Sequence, residues 1–113
     1  MSCKIYTSKG FKKELKTLAK RYRSIKDDVA KLGLDIKSNP HLGTDLGDGL
    51  RKIRMAITLK GKGKSAGARV ITYTVLTRVE AGLVVLVSIY DKSELPSMPK
   101  RDIVARLKSE GLL

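Results

Sequence analysis

The chain has 113 residues, a length that suits one domain with a real core and is too short for two. Its 42% hydrophobic and 31% charged content is globular, but 24 Lys and Arg against 11 Asp and Glu leave a formal charge of +13. That excess calls for a polyanionic partner, nucleic acid or an acidic protein. A single cysteine, Cys3, excludes an internal disulfide framework and fits a reducing compartment. No apolar run approaches the roughly 18 residues of a membrane span, and no signal-peptide core opens the chain, so a soluble cytoplasmic protein without a membrane partner is expected.

In chain order, residues 4–7 read as a short strand, at an edge or next to one. Phe11, Leu15, Leu18, Ala19 and Tyr22 then recur at helical spacing, with Thr7 or Ser8 as N-cap. The outer face of this helix carries Lys9, Lys12, Lys13, Lys16, Lys20, Arg21 and Arg23 against Glu14 alone. It reads as a solvated face, with general attraction to RNA as the alternative. A second helix starts at Ser24, where Ser24 and Asp27 make a weak capping box. Its buried stripe is Ile25, Val29, Leu32 and Ile36, and Ser38-Asn39-Pro40 stops it. With almost nothing between them, the two helices form an antiparallel hairpin.

Residues 41–49 are expected to be loop, punctuated by Gly43, Gly47 and Gly49. The next strand alternates, with Arg51, Ile53, Met55 and Ile57 on one face and Lys52, Arg54 and Ala56 on the other. A long, flexible Lys/Gly tip containing Lys60, Lys62 and Lys64 leads into a second strand, from Ala68 to Val75. Residues 78–82 form a turn, and residues 83–90 (LVVLVSIY) suit a central strand buried on both faces. Pro96 and Pro99 shape a connection to a final helix over residues 100–110, whose thin apolar face is Ile103, Val104 and Leu107 and whose C′ residue is Gly111. The expectation is a single α+β domain over residues 1–113, in the order β-α-α-β-β-β-α. A helical hairpin packs on a small, largely antiparallel sheet, with the helices on one side.

Several familiar chemistries are absent. Gly63-Lys64-Ser65 resembles the end of a phosphate-binding loop, but Thr58 stands where the first glycine belongs and a strand follows in place of a helix. His41 and Cys3 are the only residues of their kinds, so no zinc cluster is available and His41 reads as a structural loop residue. No metal and no cofactor is called for. What remains is cationic. Lys52 and Arg54 stand about 7 Å apart on one strand, and strands lie about 4.8 Å apart, so residues on three strands can converge on a phosphate. Arg69 opens the next strand, and Tyr90 and Lys92 stand at the end of the last. Clustered positive charge favours a neutral lysine able to accept a proton, whereas a guanidinium keeps its charge and suits a phosphate in a pentavalent state. Tyr90 can stack on a base. These are parts of a metal-free ribonuclease in which a ribose 2′-hydroxyl attacks the adjacent phosphate. The plainer alternatives stay open: Lys60, Lys62 and Lys64 as a mobile solvated tip, Arg69 and Tyr90 as strand ends, Tyr73 as packing.

The string Lys52-Ile53-Arg54, the segment GKGKSAGARVITY over residues 61–73 and the closing SIYDKSE over residues 88–94 resemble the RelE-like toxins of the RelE/ParE superfamily. The N-terminal YTSKGFKKELKTLAKRY and the stretch SNPHLGTDLGDGLRKIR fit the same pattern, so the resemblance covers essentially the whole chain. Residues 63–73 are similar to the HigB-like branch in particular. The resemblance implies the toxin of a type II toxin–antitoxin pair, an endoribonuclease that cleaves mRNA, usually in the ribosomal A site. It also implies a small antitoxin partner and a toxin–antitoxin hetero-oligomer. Position by position, Lys52, Arg54, Arg69 and Lys92 match the family's basic residues. Lys52 or Lys92 would handle protons, Arg54 and Arg69 would stabilise the phosphate, and Tyr90 would orient a nucleotide. Arg69→Ala would then leave the fold intact and abolish cleavage. The chain departs from the pattern in having Lys92 where arginine is common, Leu95, Pro96 and Met98 where some members have a tyrosine, and a longer tip. The same fold serves two other functions, a ParE-like inhibitor of DNA gyrase and a binding module without activity.

Overall fold

The computed structural model describes residues 2–78 and 81–113. The elements are β1 (Ser2–Thr7), α1 (Lys9–Arg21), α2 (Ile25–Ser38), β2 (Thr44–Gly47), β3 (Leu50–Met55), a 3-10 turn (Thr58–Lys60), β4 (Ala68–Arg78), β5 (Ala81–Asp91) and α3 (Lys100–Ser109). The five strands form one sheet in the order β1-β5-β4-β3-β2. β1 runs parallel to β5, and every other pair is antiparallel. None of these helices is long and apolar enough to cross a membrane. The central pair of the expected turn over residues 78–82, Val79 and Glu80, lies outside the described residues.

Alternation along the strands separates two cores. Ile53, Met55, Val70, Val84, Leu86 and Ile89 face α1 and α2, where Phe11, Leu18, Ile25, Leu32 and Ile36 meet them. Leu50, Ile71, Val85, Val87 and Tyr90 face the other way, onto Ile103 and Leu107 of α3. Covering β5 on both sides is what its unbroken apolar run requires. The expectation that all helices share one side therefore fails for α3. Its stripe is thin because it covers only part of the second face.

The expected loop over residues 41–49 is also corrected, because Thr44–Gly47 pairs with residues 50–52 of β3. The order is thus β-α-α-β-β-β-β-α. Asp48 and Gly49 make the two-residue turn, with φ of 55° and 81°. Both values are positive, as a type I′ hairpin turn demands. Ser8 caps α1 as expected, accepting from the Phe11 N–H at 3.0 Å. Its hydroxyl also donates to the Val87 carbonyl at 2.9 Å, which locks the start of α1 to β5. Ser24 makes no cap hydrogen bond, contrary to the weak capping box. It donates instead to Asp28 at 3.0 Å and accepts from the Leu59 N–H at 3.0 Å, tying α2 to the 3-10 turn.

Candidate nucleic-acid interface

Register places three of the expected site residues in one row. Arg54 of β3 is opposite Arg69 of β4, and Arg69 is opposite Tyr90 of β5. Residues directly opposite in a ladder share a face, so all three belong to the α3 side of the sheet. Lys52 is two residues from Arg54 on that same face, opposite Ile71. α3 occupies the far end of the face, around Leu50, and leaves Arg54 exposed and Lys52 half-buried. Lys92 follows the last residue of β5, and its backbone N–H donates to the Gly67 carbonyl at 3.2 Å. Arg54 and Arg69 thus stand next to the loop over residues 61–67, Lys92 borders that loop, and Lys52 lies two residues further along β3.

Their electrostatic setting is unusual. Like charges directly opposite one another on a sheet destabilise it, yet Arg54 and Arg69 are so placed. Among the described residues the ion pairs are Arg21–Glu94, Lys60–Asp91, Lys100–Asp48, Arg101–Asp102 and Arg106–Glu14. None of them involves Lys52, Arg54, Lys62, Lys64, Arg69 or Lys92. Asp91, the acid at this corner, is paired to Lys60, and the other cations there are in no ion pair among the described residues.

The individual side chains divide into two kinds. Arg54, Lys62, Lys64 and Lys92 are exposed. Arg69 is 4% exposed, and its guanidinium donates to three carbonyls, Lys64 O at 3.0 Å, Ser65 O at 3.1 Å and Ala68 O at 3.2 Å. Arg69 is therefore an internal brace of the loop, and Arg69→Ala would loosen that loop as well as remove a charge. Lys60 is likewise committed. Its Nζ lies 2.8 Å from Asp91 Oδ1 and 3.1 Å from the Ala66 carbonyl, with the ammonium 5.4 Å from the centre of the Tyr22 ring. The tip expected to be long and flexible is held by these bonds.

Tyr90 is 6% exposed and packs in the α3-side core, a position that does not offer its ring to a base. Its hydroxyl is buried and has no partner at good hydrogen-bond geometry among the described residues, the Met98 N–H making only a weak approach. Burial pushes the phenol pKa up, against the opposing pull of the nearby Met98 backbone N–H and the Arg69 charge. Tyr90 is the packed, apolar end of the row.

Sequence reasoning missed the polar group that organises this corner, Asp91. Its carboxylate accepts from Lys60, from the Tyr22 hydroxyl at 2.7 Å, and from the Ser93 hydroxyl and N–H at 2.8 and 3.0 Å. Burial alone would raise its pKa, but the Lys60, Tyr22 and Ser93 donors outweigh that and hold the carboxyl well below the usual carboxylate range. Asp28 plays a similar part beneath the 3-10 turn, accepting from the Thr58 N–H at 3.0 Å. Glu14 binds the Ser88 hydroxyl, the Ile89 N–H and Arg106 where β5 runs past the end of β1. Each is an acidic residue in a basic chain, and scarcity was the available signal. No protein-family model matches the chain, and a search of curated proteins finds no match.

Proposed function

We propose that the protein is the toxin of a type II toxin–antitoxin pair, a RelE-like endoribonuclease that cuts mRNA in the cytoplasm, on the ribosome. The observation that supports this reading is the facing pair Arg54 and Arg69, with Lys52 two residues along β3 and Lys92 beside the loop over residues 61–67, none of them in an ion pair among the described residues. A phosphodiester supplies the missing negative charge, and the exposed Arg54 meets it first. In the reaction the ribose 2′-oxygen bonds to the adjacent phosphorus and the bond from phosphorus to the 5′-oxygen breaks. Of Lys52 and Lys92, one takes the 2′-hydroxyl proton and the other returns a proton to the departing 5′-oxygen. The guanidiniums of Arg54 and Arg69 stabilise the charge that builds on the phosphoryl oxygens. Arg69 acts from a fixed position, braced by the loop. A cognate antitoxin with an acidic segment would cover this same corner.

The test is purified protein on message, free and on programmed ribosomes, with cut sites mapped by primer extension. Discrete cuts ending in a 2′,3′-cyclic phosphate are expected. Intact message together with loss of gyrase supercoiling would overturn the reading in favour of a ParE-like function.

A further inference from the structure

The loop over residues 61–67 carries its cations outward and its carbonyls inward. Three successive carbonyls, those of Lys64, Ser65 and Ala66, are held by two cationic side chains: Arg69 takes the first two and Lys60 the third. The next carbonyl, of Gly67, accepts from the Lys92 N–H. Lys60 in turn is neutralised by Asp91, which is 2% exposed and also bound by Tyr22 from the end of α1. Asp91 lies between Tyr90 and Lys92 in the chain and opposite Ala68, the neighbour of Arg69. One carboxylate therefore ties the loop, the end of β5 and the helical hairpin together.

We propose that Lys60 is a positioning residue: with Asp91 and Tyr22 it forms a latch that sets the loop over residues 61–67 and the Lys92 backbone, and so the geometry of the cationic corner, without touching RNA. The inference rests on the nuclease reading for its effect on turnover, but the latch itself is a property of the fold. It assigns Lys60 a part distinct from that of its neighbours Lys62 and Lys64, whose side chains are exposed. Losing the ammonium removes the bond to Ala66 O and lets the loop sample other conformations. Phosphate contacts made by Lys62 and Lys64 adapt to that motion, whereas the alignment needed for in-line attack does not.

The experiment compares Lys60→Met with Lys62→Met. Methionine keeps an unbranched stem and removes the ammonium with its charge and its hydrogen bonds to Asp91 and Ala66 O. For Lys60→Met, exchange of the Gly67 and Lys92 amides, which the set loop holds in hydrogen bonds to Lys64 O and Gly67 O, should quicken about tenfold. Its kcat should fall about tenfold with KM within about twofold, and the salt dependence of RNA binding should not change. Lys62→Met should do the reverse, lowering the salt slope by about one and raising KM while exchange and kcat hold. Lys60→Arg, which keeps a donor for Asp91, should restore exchange protection. A Lys60→Met protein with unaltered exchange, a lower salt slope and a raised KM would make Lys60 an RNA contact and overturn the latch. If Lys60→Met does not fold, Tyr22→Phe removes a single hydrogen bond to Asp91 and is read by the same exchange measurement, unchanged rates again refuting the latch. A wild type that cuts no RNA sinks the nuclease reading, and exchange still decides the latch.

Discussion

Replacing Asp91 with Asn tests whether the buried carboxylate stabilises the fold through its charge. Asparagine has nearly the same shape and keeps one acceptor oxygen for Tyr22 or Ser93. It turns an amide NH2 towards the remaining donors and leaves Lys60, whose side chain is 16% exposed, without a counterion. Removing one member of a buried pair costs about 3–5 kcal/mol. The partial exposure of Lys60 lets its ammonium turn to water, which puts the expected loss near the low end, about 3 kcal/mol at pH 7. The pH dependence follows from the direction of the Asp91 shift. An unfolded aspartate titrates near about 3.9, and in the fold the group lies lower, so its contribution is complete above the unfolded value and drains away as the pH falls below it. The loss is about 1.4 kcal/mol per pH unit until the folded group itself is protonated. Asparagine has no such loss, and the other carboxylates act on both proteins alike. Urea denaturation followed by circular dichroism at pH 7 and again at pH 3 should therefore show the gap between wild type and Asp91→Asn narrowing by about 1 kcal/mol. A gap below about 1 kcal/mol at pH 7, or one equal at both pH values, would refute the reasoning.

Two further substitutions probe the same corner. A Cβ at Gly67 would stand 2.1 Å from the Met55 carbonyl oxygen, a backbone atom that cannot turn aside, so Gly67→Ala should cost about 2 kcal/mol or more in urea titration. An unchanged midpoint would mean that β3 and β4 approach less closely there. Tyr90→Phe removes a buried hydroxyl that has no well-formed hydrogen bond among the described residues, and should leave stability unchanged or raise it by up to about 1 kcal/mol. A loss of that size would show that the phenol is bonded after all.

Where an element's own periodicity decides its place, the sequence reads correctly. Phe11, Leu18, Ile25, Leu32 and Ile36 enter the core as their spacing implies, and β5 is buried on both faces as its apolar run implies. The face shared by Lys52 and Arg54 follows from period two, and register adds Arg69 and Tyr90 to it. β2 escaped because four residues, TDLG, carry no alternation, although the Asp48-Gly49 pair was a hairpin signal in plain view. The side taken by α3 escaped because an apolar stripe says that a helix is covered, not by which face of a sheet. Lys60 was misjudged for a different reason. Its counterion is 31 residues away, and nothing local distinguishes a lysine that folds inward onto Asp91 from Lys62, which stays in water. Long-range polar pairs have no period. The same holds for Glu110, whose carboxylate accepts from the Lys9 and Gly10 N–H groups at the start of α1.

The most direct measurement compares two double variants of equal charge. Arg54→Ala with Lys92→Ala removes two cations from the corner, and Lys16→Ala with Lys20→Ala removes two from the exposed outer face of α1. With the cleavage rate on programmed ribosomes as the readout, the corner variant should fall about a hundredfold or more, while the helix variant stays within about threefold of wild type. Equal losses in the two variants would contradict the account, because cleavage would then depend on how much positive charge the protein carries and not on where the sheet gathers it.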